Sequence, residues 1–566
     1  MSSDDIKNEL DRRAFMKRLL LGTGVVSSLP IDLFLSNMMI SMFQRAHALA
    51  AGMENEAFSD MKYISFVMAN GAPRYYWDLP IRPNGDDYYV PNPMVISRFT
   101  GSGSSVKGEY ATTNVGGYHM PTIWDANIAT PNGTAPMRAL SENMLILRGL
   151  DLQIDSHDID RFRQVAPVPG GISLSGLAAD QAKTPIPAIG NASGGGSYFR
   201  SEKGIAYQPL SGTNPFTAAM APFSQNSGML SLSSPQVEKA IDDALKRMEA
   251  ASGGKNKFLP STYVARINAK KMMMKQFGNL QSAYTQLNAK YLSLINRAFD
   301  ATGSLSLAGV DSLQIPGGQT ALQRLTQAEY VIGSDLRTLT DMNTRIDSLA
   351  EGMAIAEFMI TQGLSSSVNI QAGNFINIFG TQLLNSTSKA VINNSRRTHS
   401  VDVHFTGAHA GLVLFSRYYR ALSSCLYEFT NQLKATPSSR GNLFNQSIVT
   451  VTSEFNRSAR ADGDGADHGW QGSNFTILSG MIDQFAVRGN IKTTETGAYK
   501  GTWGLAAGVS ELNGREAIIG NAASTIASLM EVKSPTPNDM PFAYKQNGKA
   551  VLSVKSCKNM NKGEAA

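Results

Sequence analysis

Short runs of consecutive apolar residues, each closed by turn formers, punctuate the chain. KYISFVMANGAP, from Lys62 to Pro73, predicts a buried strand that runs into a turn at Asn70-Gly71. NMLILRGLDL at 143–152, SSVNIQAG at 366–373 and the β-branched SIVTVTSEF at 447–455 predict further strands. Apolar residues on consecutive rather than alternating positions suit a parallel sheet covered on both faces. Between these runs the period changes. Phe277, Leu280, Tyr284, Leu287, Tyr291 and Leu294 share one helical stripe, and Ser234-Pro235 is a helix start. A loop follows at 303–320, then helical patterns over 320–362 and 411–435. Strand, helix and strand in this order predict an α/β fold, with a doubly wound, mostly parallel sheet and a helical insertion subdomain.

The expected organisation is an N-terminal export segment over 1–50, a first half of the α/β domain over 51–232 and a helical insertion over 233–345. A second half over 346–545 carries the chemistry-bearing motifs, and 546–566 is a C-terminal tail, with the stretch 531–566 read as a surface strand and a frayed end. The 566 residues are 42% apolar and 17% charged, which excludes general disorder. The net charge of +6 comes from scattered Lys and Arg, with no basic run outside the N-terminus, so nucleic acid is not an expected partner. The two cysteines, Cys425 and Cys557, lack CxxC spacing and build neither a zinc cage nor a disulfide framework. Cys425 sits in an apolar helical pattern and reads as a small buried hydrophobe.

The first fifty residues change the picture. Arg12 and Arg13 precede Phe15, Lys17 and an apolar run, and small residues recur at Ala46, Ala48 and Ala50. This is the pattern of a twin-arginine export signal with cleavage near 48–50; a retained membrane anchor or a plain amphipathic helix are the other readings. Pro30 and Asp32 interrupt the apolar run and disfavour a stable span. The expected partner is the twin-arginine translocase, the expected location is the periplasm or cell surface, and the mature form is not expected to span the membrane.

RADGDGADHGWQGSNFTILSG at 460–480 could be a calcium loop, a metal or catalytic loop, or a polar turn. Counted from Asp462, an EF-hand would need an oxygen ligand at Ala466, glycine at Asp467 and glutamate at Ser473, so calcium-loop spacing fails. Glu454 falls at the C-terminal end of a predicted strand, where open α/β sheets form their sites, and Asp402-x-His404 lies upstream. Carboxylate and imidazole together suit Zn, Mn or Fe; solvated polar loops are the plain alternative. After the 143–152 strand, Asp155-Ser156-His157 offers a serine that either caps the next helix or serves as a nucleophile. No phosphate-loop motif, complete nucleophile elbow or well-placed dinucleotide fingerprint is present.

The 453–480 block resembles the signature of a bacterial family exported by the twin-arginine route, placed in the alkaline phosphatase/sulfatase-like superfamily. That family's Ser-Glu-Phe-Gly-Arg and Asp-His-Gly-Trp segments are matched by Glu454, Phe455, Arg457, Asp467, His468, Gly469 and Trp470, with Asn456 in place of the glycine. Its Asp-x-His motif is matched by Asp402 and His404, and its Ser-His motif by Ser156 and His157. The resemblance implies a sheet of alkaline-phosphatase-like type. It also implies metal ligands at Asp402, His404, Glu454, Asp467 and His468, a nucleophile at Ser156, and binding of an anionic ester by His157 and Arg457. The implied activity is metal-dependent hydrolysis of phosphate or sulfate esters, with one or two divalent ions. The front departs from the pattern. Pro73 stands where the family carries a metal-site Asp, and Asp78 could replace it only if its loop folds back. A non-catalytic envelope protein of the same fold, with a binding or structural role, is the alternative.

Overall fold

The computed structural model describes residues 60–68, 70–80, 97–100, 107–182, 186–191, 198–205, 207–210, 280–298, 347–373, 403–404, 408–459, 466–493, 503–509 and 512–553, with a few isolated positions and short strands besides. The export segment, residues 233–279, 299–330 and 333–345 of the expected insertion, and Asp402, His399 and Cys557 lie outside the described residues. Glu54–Pro215 and Ala283–Ala566 group into one compact unit, which holds the whole central sheet; Met1–Met53 and Phe216–Ser282 group separately.

In chain order the strands that position the site are β1 (Lys62–Met68), β2 (Met144–Asp151), β3 (Ile186–Gly190), β4 (Tyr207–Pro209), β5 (Ser365–Gln371), β6 (Ser447–Ser453), β7 (Asn456–Ala459), β8 (Ala466–Gly469), β9 (Ser473–Leu478), β10 (Ala486–Arg488) and β11 (Ala517–Ile518). The helices are α1 (His157–Val165), α2 (Leu174–Ala179), α3 (Asp347–Thr361), α4 (Ala408–Ala435) and α5 (Ile519–Met530). Nine strands form one sheet in the order β4-β3-β5-β1-β6-β9-β2-β10, with β11 also paired to β2. Among the described strands of this sheet only β9 runs against the rest: it is antiparallel to both β6 and β2, and the other pairings are parallel. The fold is therefore α/β with a mixed, mostly parallel sheet.

Both faces of the sheet are covered, which is why its strands are apolar on consecutive positions. β1, β6 and β9 are buried at every residue. Side chains alternate between faces along a strand. Tyr63 of β1 joins a core with Leu174 and Leu177 of α2 and Ile519, Ile526 and Leu529 of α5. Phe66, three positions on and so on the other face, meets Phe429 of α4 edge-on, with ring centroids 5.7 Å apart. The four predicted strand runs correspond to β1, β2, β5 and β6, each within two residues of its expected ends. Cys425 is a free thiol buried in α4.

Two stretches differ from the expected pattern. The helical reading of 320–362 holds from Asp347 onward, but Val331–Ile332 is a strand paired antiparallel with Thr381 and Gln382. Two β-branched residues before a glycine favour extended backbone there. The boundary expected at 546 falls inside a hairpin, Ala543–Gln546 with Lys549–Leu552. It turns at Asn547-Gly548, both at positive φ, as a tight two-residue turn requires. Residues 283–298, within the expected insertion, are helical, with Tyr284, Tyr291 and Leu294 of the predicted stripe buried.

Candidate metal centre

The reversed direction of β9 creates the place for a site. β6 ends at Ser453 on the C-terminal edge of the parallel strands, and its antiparallel neighbour β9 begins at Ser473 on the same edge. Both β7 and β8, in the described parts of the intervening chain, therefore sit at that edge and pair antiparallel, with Arg457 opposite His468 and Ser458 opposite Asp467. The loops leaving β1 and β2 share the edge, and β2 delivers Asp155, Ser156 and His157 there. Two backbone bonds tie the parts together. Leu152 N–H donates to the Trp470 carbonyl at 3.0 Å, and Ala466 N–H donates to the Val403 carbonyl at 3.1 Å, which brings His404 beside the hairpin.

Three imidazoles converge at this point. His157, His404 and His468 each offer a ring nitrogen, and these lie within 4.8 Å of one another. Nε2 of His404 and Nε2 of His468 are 3.0 Å apart. Each ring also has a carboxylate at Nδ1. His468 Nδ1 meets Asp155 Oδ1 at 2.5 Å, His157 Nδ1 meets Glu454 Oε2 at 2.7 Å, and His404 Nδ1 faces Asp467 Oδ1 at 3.3 Å. A carboxylate at Nδ1 fixes the proton on that nitrogen and leaves a lone pair on Nε2. Two such lone pairs facing each other at 3.0 Å are stabilised by a shared proton or by a cation, so the donor set fits a divalent metal ion.

Glu454 is fully buried, and both of its oxygens are engaged: Oε2 with His157 and Oε1 with Arg161, whose Nε donates at 2.8 Å. His157 and Arg161 are one turn apart on α1, so a single carboxylate anchors that helix face to the end of β6.

Beneath the imidazoles lies Phe455, whose ring centroid is 4.2 Å from that of His468 and 4.9 Å from that of His157. Room for this ring depends on Gly71. At φ +65°, a Cβ on Gly71 would stand 2.1 Å from the Phe455 ring. Arg457, read from the sequence as an anion-binding residue, is buried instead. Its guanidinium packs over Phe455 at 5.0 Å and donates to the Gly71 and Asn70 carbonyls at 2.7 and 2.5 Å. These contacts clamp the β1 turn to the hairpin. Asp78 does not fold back to the site. It is buried, accepts from Arg74 Nε at 2.6 Å and from Arg74 Nη2, and receives the Thr476 hydroxyl.

Ser156 is the N-cap residue of α1, yet its hydroxyl makes no capping bond. Asp160 takes over part of that duty: its buried carboxylate accepts the Ser156 N–H at 3.2 Å. Burial, with Asp155 and Glu454 adding negative charge nearby, pushes the Asp160 carboxyl up to about 7.

Of the residues singled out from the sequence, Ser156, His157, His404, Glu454, Asp467 and His468 come together at this edge, and Asp402 lies outside the described residues. Asp155 and Arg161 complete the cluster. Asp155 was legible as part of the acidic patch after β2; Arg161 gave no motif signal, although its spacing of four from His157 on a helix puts both on one face. Fold and site define a mostly parallel α/β protein with a carboxylate-backed imidazole cluster at the C-terminal strand edge. Comparison with protein-family models, curated proteins and solved structures returns no match. No helix among the described residues is long and apolar enough to cross a membrane.

Proposed function

We propose that the chain is a metal-dependent hydrolase of phosphate or sulfate esters, of alkaline-phosphatase-like type, exported by the twin-arginine translocase to the periplasm or cell surface. The observation that carries this reading is the convergence of His157, His404 and His468 at the edge where open α/β sheets build their sites. A divalent ion there, Zn, Mn or Fe, would polarise an ester oxygen and lower the pKa of a bound water. The chain's own residues supply the rest. Asp155 and Glu454 fix the tautomer and orientation of two imidazoles. Ser156, free of capping duty, offers a hydroxyl at the strand-to-helix turn as the nucleophile.

The test is turnover of aryl phosphate and aryl sulfate by the exported protein supplied with Zn²⁺, Mn²⁺ or Fe²⁺, beside His468→Ala. Turnover of either ester, lost in the variant, is expected; no turnover with any of these metals would overturn the reading. A non-catalytic envelope protein of the same fold is the second reading. It is favoured by the engagement of Arg457 with backbone carbonyls and of Arg161 with Glu454, which takes positive charge away from an anionic substrate.

A further inference from the structure

We infer that His157, His404 and His468 bind a single divalent ion of zinc-like preference through Nε2, with Asp155, Glu454 and Asp467 standing behind them as acceptors on Nδ1 rather than as ligands. This rests on the metal reading above, and it reassigns Glu454 and Asp467, which sequence resemblance placed among the ligands, and His157, which resemblance placed on the anionic ester.

The pairing of each ring with its own carboxylate carries the inference. A nitrogen whose proton points at a carboxylate cannot coordinate, which leaves Nε2 on His157 and on His468, and Asp467 faces Nδ1 of His404; Nε2 of His404 and His468 meet at 3.0 Å, and the His157 ring stands beside them, its centroid 4.6 Å from that of His468. Bonds of 2.0–2.1 Å at a tetrahedral centre put two ligand nitrogens ~3.3 Å apart, close to the 3.0 Å between His404 Nε2 and His468 Nε2. The carboxylates are held away. Glu454 would have to give up His157 on one oxygen and Arg161 on the other, with its side chain wholly buried. Asp467 turns one oxygen to both the His468 N–H, at 3.1 Å, and His404 Nδ1. Asp155 is fixed on His468 at 2.5 Å. A negative partner at Nδ1 makes Nε2 more basic, which favours an ion that prefers nitrogen over an oxygen-seeking one such as magnesium or calcium.

The experiment is equilibrium dialysis of the full chain against Zn²⁺ and against Co²⁺, with bound metal counted by elemental mass spectrometry and the Co²⁺ ligand-field absorption recorded. Wild type is expected to hold one equivalent with a tetrahedral Co²⁺ spectrum. His157→Ala, His404→Ala and His468→Ala are each expected to lose it. Asp155→Asn, Asp467→Asn and Glu454→Gln are expected to keep one equivalent and the same spectral shape, with affinity lowered about 10- to 100-fold. Glu454 is buried and its variant can fail to fold. Asp155, half exposed, keeps the comparison decisive. Two equivalents in wild type, or a carboxylate variant that loses the ion outright while folded, would overturn the inference. Ester turnover is read separately. One ion without turnover removes the hydrolase reading and leaves the ligand assignment standing; two ions with turnover does the reverse.

Discussion

Replacing Asp160 by Asn should make the protein more tolerant of neutral and alkaline pH. Asp160, in the first turn of α1, is fully buried, and its Oδ1 has no hydrogen-bond partner among the described residues. One turn on, the buried Gln164 Oε1 also lacks a partner among the described residues. The carboxyl is raised from 3.8 to about 7. A group whose proton is held more tightly in the folded than in the unfolded chain gives stability that is complete below its unfolded pKa. That stability is lost as pH rises through the folded value. Three units at 1.36 kcal/mol each would give roughly 4 kcal/mol, and solvent screening at the exposed turn beside it lowers this to about 2 kcal/mol. Asn keeps the acceptor for the Ser156 N–H and does not titrate. Urea unfolding of both proteins from about pH 4.5 to about pH 8, with chelator present, reads the difference. Wild type should lose about 2 kcal/mol relative to Asp160→Asn across that window. A flat difference, or a wild type that gains stability as pH rises, would refute the reasoning.

Gly71→Ala should destabilise the fold by about 2–4 kcal/mol, because the new methyl meets the Phe455 ring at a left-handed backbone position; an unchanged urea midpoint would contradict this. The same variant should bind Zn²⁺ more weakly in dialysis, since Phe455 backs His468. Ser156→Ala should leave stability within about 0.5 kcal/mol of wild type, because no capping bond is lost, while ester turnover falls by orders of magnitude. Full turnover in that variant would remove Ser156 as the nucleophile. Arg457→Gln should lower stability by about 2 kcal/mol or more, through loss of its bonds to the Gly71 and Asn70 carbonyls, without changing KM for an ester. A tenfold rise in KM at unchanged stability would restore Arg457 to substrate binding.

The sheet was legible because burial on both faces writes itself as consecutive apolar residues, as in β1, β2 and β6. The antiparallel β9 was not, since direction leaves no mark on SNFTIL, yet that reversal is what holds the β7-β8 hairpin over the site. His404 and His468 could be picked out by their acidic neighbours. Their roles could not, because coordinating and orienting carboxylates have the same composition and differ only in which atom faces which nitrogen. Arg457 shows the same limit from the other side. An arginine beside a metal motif reads as an anion binder, and only the Asn70-Gly71 carbonyls at its guanidinium reveal a clamp. The Lys, Asn, Pro and Ser content of 531–566 suggested one surface strand and a tail, and the Asn547-Gly548 turn makes a two-stranded hairpin of it.

Anomalous diffraction from crystals grown with Zn²⁺, recorded at the zinc edge, tests the proposed centre most directly. A single peak bonded to Nε2 of His157, His404 and His468, with Asp155, Glu454 and Asp467 still on Nδ1, is the expected result. A peak coordinated by Glu454 or Asp467, or no peak at these histidines in a correctly folded protein, would contradict it.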